Sequence, residues 1–346
     1  MRVGIIAPPW LPVPPPAYGG REAVIDRQAR GIQAAGHEVV LWTTGDSTCD
    51  VPRAWVLPES RPDRTGFAAI EMQHLIHGYE TLRSCGCDII HDHTLLGPMH
   101  SFRYPDLPVV TTNHGPFNKE LAELYLSISS QVPLIAISHE QARTAGLLPI
   151  AGVIHHGVDP WSFPIGDGAG DERGEYYLFV GSMAPEKGPR RAAQAAAMAG
   201  VRLKIAAKMQ EPWEQDFFEE AVRPLLNDDI EYVGEVEAGE RTQLMGEAKA
   251  LLNPIRWPEP FGLAMIESLA CGTPVIAFNE GSVPEIIDHG LSGWVVDSTE
   301  SMAEHTEKVD GLSRSNCRAQ VEEYFCTERM VRQHLDLYEE ILAGRR

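Results

Sequence analysis

Two carboxylates, Glu259 and Glu267, lie eight residues apart on either side of a helix start. The apolar run 250–252 before them reads as a buried strand. The segment after it carries prolines at 254, 258 and 260 and must be an extended, stiff loop. From Gly262 the pattern turns helical, with Leu263, Ile266 and Ala270 on one face, until Cys271-Gly272-Thr273-Pro274 stops it. On a helix this separation amounts to roughly 12 Å of axial rise, whereas a hydrolytic acid–base pair stands about 5–9.5 Å apart. The spacing instead suits a long ligand, with the amides of Gly262 and Leu263 between the two carboxylates. Unsatisfied N–H groups and the macrodipole make a helix start favourable to an anion. A phosphate in the middle and hydroxyl-bearing groups at both ends is the shape of a nucleotide-sugar. A solvated helix Glu and a surface-loop Glu would satisfy the same spacing.

Two further turns have anion-binding character. Gly181-Ser182-Met183-Ala184-Pro185-Glu186-Lys187-Gly188 joins a strand to an alanine-rich helix at 190–199, placing a lysine at a helix start. Near the N-terminus, residues 8–16 hold six prolines and form a rigid, polyproline-like wall. It leads into Gly19-Gly20-Arg21, where two glycines allow backbone to approach a ligand and Arg21 adds charge. Histidines cluster after several strands, as His91-Asp92-His93, Asn113-His114 and His155-His156, without a Cys/His framework of the kind that holds zinc.

The elements that must position these residues alternate along the chain. Strands are expected at 3–7, 38–43, 88–91, 108–112, 133–137 and 152–155. A second set is expected at 176–180, 201–207, 230–233, 250–252 and 274–277, with helices between strands in both sets. Such alternation means parallel, doubly wound α/β sheets whose ligands lie beyond the carboxyl ends of the strands. Residues 165–174, polar and with four glycines, read as the linker between two halves. A chain of 346 residues with 43% hydrophobic content has length for two cores. The net charge of −20 argues against nucleic acid or an anionic membrane as partner. Scattered cysteines, no signal-peptide pattern and no membrane-length apolar run make the cytoplasm the default location.

Glu-x7-Glu with Phe261-Gly262 after the first Glu resembles the signature of retaining GT-B glycosyltransferases of family 4, and the likeness runs over nearly the whole chain. The resemblance implies an α/β GT-B fold of two facing, Rossmann-like, doubly wound domains with a central cleft. Residues 1–165 would be the acceptor domain and 166–327 the nucleotide-sugar domain, with a last helix near 328–346 returning to the first. By the same resemblance Glu259 and His114 would face the donor sugar, Glu267 would hold the ribose, and Lys187, Gly262 and Leu263 would stabilise the leaving diphosphate. Gly19, Gly20 and Arg21 would close over the phosphates. Gly234 and Val236 would border the base, Phe261, Ser182 and Lys208 would join the donor- and nucleotide-binding residues, and His93 and Arg256 would contact sugar or acceptor. The chain departs from the family at Ser182, where the family has an arginine; a charge-assisted hydrogen bond there is worth about 1.5–3 kcal/mol. Lys208, Arg21 and Arg256 are the cations that could take its place.

The implied reaction moves a sugar from an NDP-sugar to a hydroxyl of a soluble oligosaccharide or natural-product intermediate, with retention and without metal or other cofactor. The chain as a whole also resembles transferases of avilamycin-type antibiotic assembly. A sugar-nucleotide 2-epimerase and a non-catalytic nucleotide-sugar binding protein are the alternatives on the same fold. No motif sets the oligomeric state.

Overall fold

The computed structural model describes Met1–Ala17 and Gly19–Gly344, so Tyr18 of the expected glycine loop and the last two residues of the expected terminal helix lie outside the described residues. The chain divides into two compact units, one of Met1–Gly157 with the segment from Thr327 onward, the other of Val158–Cys326.

Unit 1 is a seven-stranded parallel sheet. Its strands are β1 (Arg2–Ile6), β2 (Glu38–Trp42), β3 (Arg53–Ala54), β4 (Ile89–Asp92), β5 (Val109–Thr112), β6 (Leu134–Ala136) and β7 (Gly152–Val153), in the order β3-β2-β1-β4-β5-β6-β7. Central strands such as β4 and β5 are buried along their whole length, as expected when helices cover both faces of a parallel sheet. Helices α1 (Gly20–Ala34) and α2 (Ala68–Ser84) connect the first strands. The terminal helix Thr327–Gly344 packs on α1, and Gly31 makes the approach close: a Cβ there would lie 2.5 Å from Val331 Cγ2. Gln28 Nε2 donates to Tyr338 Oη at 2.9 Å, a buried bond that ties the terminal helix into the core.

Unit 2 is a six-stranded parallel sheet. Its strands are β8 (Tyr177–Ser182), β9 (Leu203–Lys208), β10 (Ile230–Gly234), β11 (Leu251–Asn253), β12 (Val275–Phe278) and β13 (Gly293–Val296), in the order β10-β9-β8-β11-β12-β13. Helices α3 (Pro189–Ala199), α4 (Ala238–Glu247) and α5 (Leu263–Ala270) follow β8, β10 and β11. In α3 the small side chains of Ala192, Ala193, Ala195 and Ala196 are all fully buried in the core with Phe179, Ile205 and Leu252. Helix α5 is buried from Met265 through Ala270, more completely than a single apolar face implies.

The domain boundary differs from the composition reading. The glycine-rich stretch 165–174 is part of unit 2, because Gly166, Gly168 and Gly170 donate their amides to Cys271, Gly246 and Glu247 carbonyls. Arg314 fastens the same stretch from its side chain, donating to the carbonyls of Gly166 (2.7 Å), Gly246 (2.8 Å) and Ala248 (3.1 Å). The chain instead changes unit at Gly157–Val158, and the Val158 amide donates to the Phe325 carbonyl at 2.9 Å, so the two ends of unit 2 lie side by side. Glycines needed for tight backbone packing resemble linker glycines in composition alone.

Among the described residues no helix is long and apolar enough to cross a membrane. The six cysteines are free thiols.

Arg314→Ala strands several carbonyls whose partner is a charged donor. It should lower the stability of unit 2 by about 3 kcal/mol, measurable as a reduced urea midpoint, with faster amide exchange concentrated at residues 165–174.

Candidate active site

In unit 2 the strand order reverses between β8 and β11, which is where an open α/β sheet leaves a crevice at its carboxyl edge. The loops leaving these two strands are stitched together. Arg256 N–H donates to Glu186 O at 2.8 Å, and Arg191 Nε donates to Pro254 O at 2.8 Å. Gly188, with φ of 88°, caps α3 in the left-handed region, and a Cβ there would lie 2.4 Å from Pro254 O, so only glycine allows this contact.

The stitching brings Lys187 and Glu259 into direct contact, the ammonium against Oε2 of the carboxylate. Trp257 Nε1 donates to the same oxygen at 2.6 Å, and Lys187 Nζ stands 4.9 Å from the centre of the Trp257 ring. The backbone under Glu259 is held from β12's loop: Ser282 N–H donates to Glu259 O at 3.1 Å, and Ser282 Oγ to Phe261 O at 2.5 Å. Gly281 has φ of 56°, and a Cβ there would sit 2.4 Å from Glu259 O.

Gly262, left-handed at φ 87°, caps the start of α5, and the first amides of that helix point away from any partner within it. One turn in, Glu267 is 5% exposed, and its Oε2 stands 3.5 Å from Arg241 Nε on α4. A carboxylate so enclosed requires such a partner. Ser182 ends β8 directly opposite Lys208 at the end of β9, and the Met183 amide donates to Lys208 O at 2.8 Å. Lys208 therefore occupies the neighbouring level of the carboxyl edge. Gly234 ends β10 after a register shift, with φ of 91°, and nothing lies within 4 Å of where its Cβ would be. Val236, two residues on, is buried.

Arg256 does not join the group at Lys187. Its guanidinium bonds Glu280 at 2.9 Å and the Asp297 carbonyl and lies 4.2 Å over the Phe278 ring, so those contacts hold it elsewhere. Two residues outside the sequence-derived set complete the site, Trp257 and Arg241. Trp257 stood in the proline-rich loop, where an aromatic gives no sign of its hydrogen bond. Arg241 comes from a separate helix, and no spacing rule links it to Glu267.

Unit 1 has its own reversal, between β1 and β4. Gly19 packs against the proline wall, and a Cβ there would lie 2.6 Å from Pro15 Cβ. Gly20 opens α1, and Arg21 bonds Glu22 Oε1 through both Nε (3.0 Å) and Nη2 (2.8 Å), so a charge expected to stand free is paired with its buried neighbour. The histidines form a column. His91 stacks on His93 at 4.1 Å, His93 Nδ1 lies 2.8 Å from His114 Nε2, and His114 stacks on His156 at 5.2 Å. His91 Nδ1 reaches Tyr338 Oη at 2.5 Å and its Nε2 reaches Thr112 Oγ1 at 2.7 Å, while the His334 ring stands 5.3 Å away.

His93, expected at a sugar, is only 4% exposed and lies behind His114 as its hydrogen-bond partner; His114 keeps part of its surface accessible. Among the described residues the column offers no three ligand atoms within 4.8 Å of one another. Burial, reinforced by neighbouring histidines, pushes His91, His93 and His114 well below the usual imidazole range. It pushes His156 down to about 3 and His334 to about 4. The column is neutral, and each ring has one N–H donor and one acceptor.

Residues 18–161 match the family model described as Glycosyltransferase Family 4, and residues 167–324 that described as Glycosyl transferases group 1. D-inositol 3-phosphate glycosyltransferase of Mycobacterium ulcerans is 30% identical over 232 residues, 62% of this chain and 48% of that protein. The chain spans about a third of the length of the first curated relatives it matches, at 36%, 32% and 32%. AviGT4, a glycosyltransferase involved in avilamycin A biosynthesis, has a TM-score of 0.75 at 24% identity, over 99% of this chain and 98% of its own. HepE of Anabaena in complex with UDP-glucose has a TM-score of 0.74 at 17% identity, over 98% of this chain and 100% of its own. The two parallel-sheet units are Rossmann-like domains of the GT-B fold.

The neutral column sets a pH dependence. A histidine whose folded pKa lies below its unfolded value of about 6.5 binds fewer protons folded than unfolded. Stability is then complete above that value and falls with pH by up to about 1.4 kcal/mol per unit for each group. His74, buried and lowered to about 4, adds to the five of the column. Asp92, raised by burial to about 6, acts in the opposite direction between pH 4 and 6 but is a single group. The unfolding midpoint of unit 1 should therefore drop steeply from pH 7 to pH 5, and His334→Gln should flatten the slope. A flat midpoint over that range would contradict the neutral column.

Proposed function

We infer that this chain is a GT-B glycosyltransferase of the GT4 type. We propose that it moves a sugar from an NDP-sugar to a hydroxyl of a soluble acceptor, with retention of anomeric configuration and without a metal. The observation that carries this reading is the meeting of Lys187 and Glu259 where β8 and β11 part, with the start of α5 between Glu259 and the buried Glu267. That arrangement supplies a cation and helix-start amides for a diphosphate, and a carboxylate on each side for hydroxyl groups.

In this reading Lys187, Gly262 and Leu263 take the charge of the departing diphosphate, the work a metal does in other folds. Glu267, steadied by Arg241, accepts from the ribose hydroxyls. Glu259 accepts from the donor sugar. Gly234 and Val236 border the base, and Phe261, buried in the loop before α5, belongs to the same donor site. The assignments of Gly19, Gly20, Arg21 and His114 to the same donor rest on family likeness. HepE is a protein solved with UDP-glucose, and a nucleoside-diphosphate sugar is the donor class extended from it to this chain.

No carboxylate acts as covalent nucleophile in this proposal. The acceptor oxygen bonds to the anomeric carbon on the face from which the diphosphate leaves, and the leaving phosphate oxygen takes the acceptor proton. The acceptor would be an oligosaccharide or natural-product intermediate, an antibiotic precursor among them. One observation favours a second reading, a nucleotide-sugar binding protein without turnover: Ser182 stands where the family carries arginine. Lys208, facing Ser182 across the β8–β9 pair, is the cation that would compensate.

The first test is thermal unfolding with UDP, GDP, ADP, TDP and their common sugars in the presence of EDTA. A ligand at about 100 times its Kd should stabilise by about 2.7 kcal/mol. Among chains that bind, Lys187→Ala and Glu259→Gln should each lower kcat by about 10²–10³, and NMR of the product should show the donor's anomeric configuration. No shift with any nucleotide would refute the donor site. Binding without transfer would select the second reading, and Ser182→Arg should then raise turnover.

A further inference from the structure

We propose that Trp257 is a positioning residue for the transfer reaction, its indole N–H fixing the Glu259 carboxylate while its ring seats the Lys187 ammonium. The inference rests on the reading of unit 2 as the donor site.

Three contacts carry it. Trp257 Nε1 donates to Glu259 Oε2 at 2.6 Å, the Lys187 ammonium meets that same oxygen, and Nζ lies 4.9 Å from the centre of the indole. The pair is held by a short local device as well: Glu259 N–H donates to Trp257 O at 2.7 Å, a γ-turn centred on Pro258. Proline at the centre restrains the turn, so the indole and the carboxylate cannot drift apart through the backbone. The Lys187 and Glu259 side chains are 18% and 14% exposed, enough shielding for these contacts to set geometry.

The chemistry of the three groups divides the work. An ammonium has three N–H donors, so Lys187 can hold Glu259 with one and offer the others to a phosphate. A carboxylate held by the lysine alone would swing as the ammonium turns toward the leaving group. The indole has a single donor in a rigid plane and carries no charge. Its bond to Glu259 therefore keeps the carboxylate aimed at the sugar independently of where the ammonium points, and its π-face keeps the ammonium close by.

Trp257→Phe removes the N–H and retains a ring, and Trp257→Leu removes both. The expected result for Trp257→Phe is a kcat about tenfold lower, with donor KM and the calorimetric Kd of the nucleoside diphosphate close to wild type. Trp257→Leu should in addition weaken diphosphate binding several-fold, because the seat of Lys187 is lost. Wild-type kcat in a folded Trp257→Phe chain, or a parallel loss of kcat and diphosphate affinity in it, would overturn the inference. A second measurement does not depend on altering the tryptophan. In the wild-type chain the indole proton of Trp257 should resonate downfield and move upfield in Glu259→Gln; an unmoved resonance would also overturn it. A wild-type chain that binds no nucleoside diphosphate would remove the donor-site reading itself. A wild-type chain that transfers sugar, with Trp257→Phe equal to it, would remove this inference alone.

Discussion

Lys187 and Glu259 are 72 residues apart in sequence, and their opposite charges meet because two loops are fastened at the one place where the sheet of unit 2 changes direction. An open sheet leaves a crevice at such a reversal, where the loops after β8 and β11 have room to meet. The loop after β12 closes on Glu259 as well. The contact then depends on backbone that only particular residues tolerate: Gly188 against Pro254, Gly281 against Glu259, and prolines that stiffen the loop between. The ion pair is the visible outcome, but the glycine approaches set where it forms.

Unit 1 solves a different problem at the corresponding edge. Its histidines stack from the centre of β4 outward, and the price of burying imidazoles is reduced by keeping them neutral and bonding them to one another, to Thr112 and to Tyr338. Two ring nitrogens, His93 Nε2 and His114 Nδ1, have no partner among the described residues, and both belong to the middle of the column. His91 is satisfied on both nitrogens within the fold, and the His93–His114 pair is left with hydrogen-bonding capacity.

Much of this was legible in the sequence. Short apolar runs separated by helical patterns gave both parallel sheets, and strand positions fell within a few residues of those found, because fully buried strands leave an uninterrupted apolar signature. The Glu259–Glu267 spacing, Lys187 before a helix and Gly262 at a helix start were legible because each is a local arrangement. What was hidden depends on distant partners. Arg21 and Arg256 looked available until Glu22, Glu280 and Phe278 were seen to hold them. Trp257 and Arg241 gained their places only through contacts that no linear pattern records. The two-residue strand β3 and the edge strand β13 were missed as well; β3 is too short for a periodic signal, and β13 is bounded by residues that read as turn. The glycines at 166, 168 and 170 have a linker's composition but are bonded within unit 2, and composition cannot distinguish flexible backbone from backbone packed tightly against its neighbours.

Because unit 2 is inserted between residue 157 and residue 327 of unit 1, the two domains are completed in the reverse of the order in which they begin. On the ribosome, where domains generally fold as they emerge, the sheet of unit 1 is made first, yet α1 must wait with the surface around Gly31 uncovered. His91 lacks its tyrosine partner for the whole time that unit 2 is being synthesised. Unit 2, whose ends pair at Val158 and Phe325, can close as soon as its last residue is available. Only then does the terminal helix arrive to cover Gly31 and bring Tyr338 to His91. The helix that follows unit 2 in the chain thus completes the part of the molecule made first, and a chain interrupted before it would carry a finished second domain attached to an open first one.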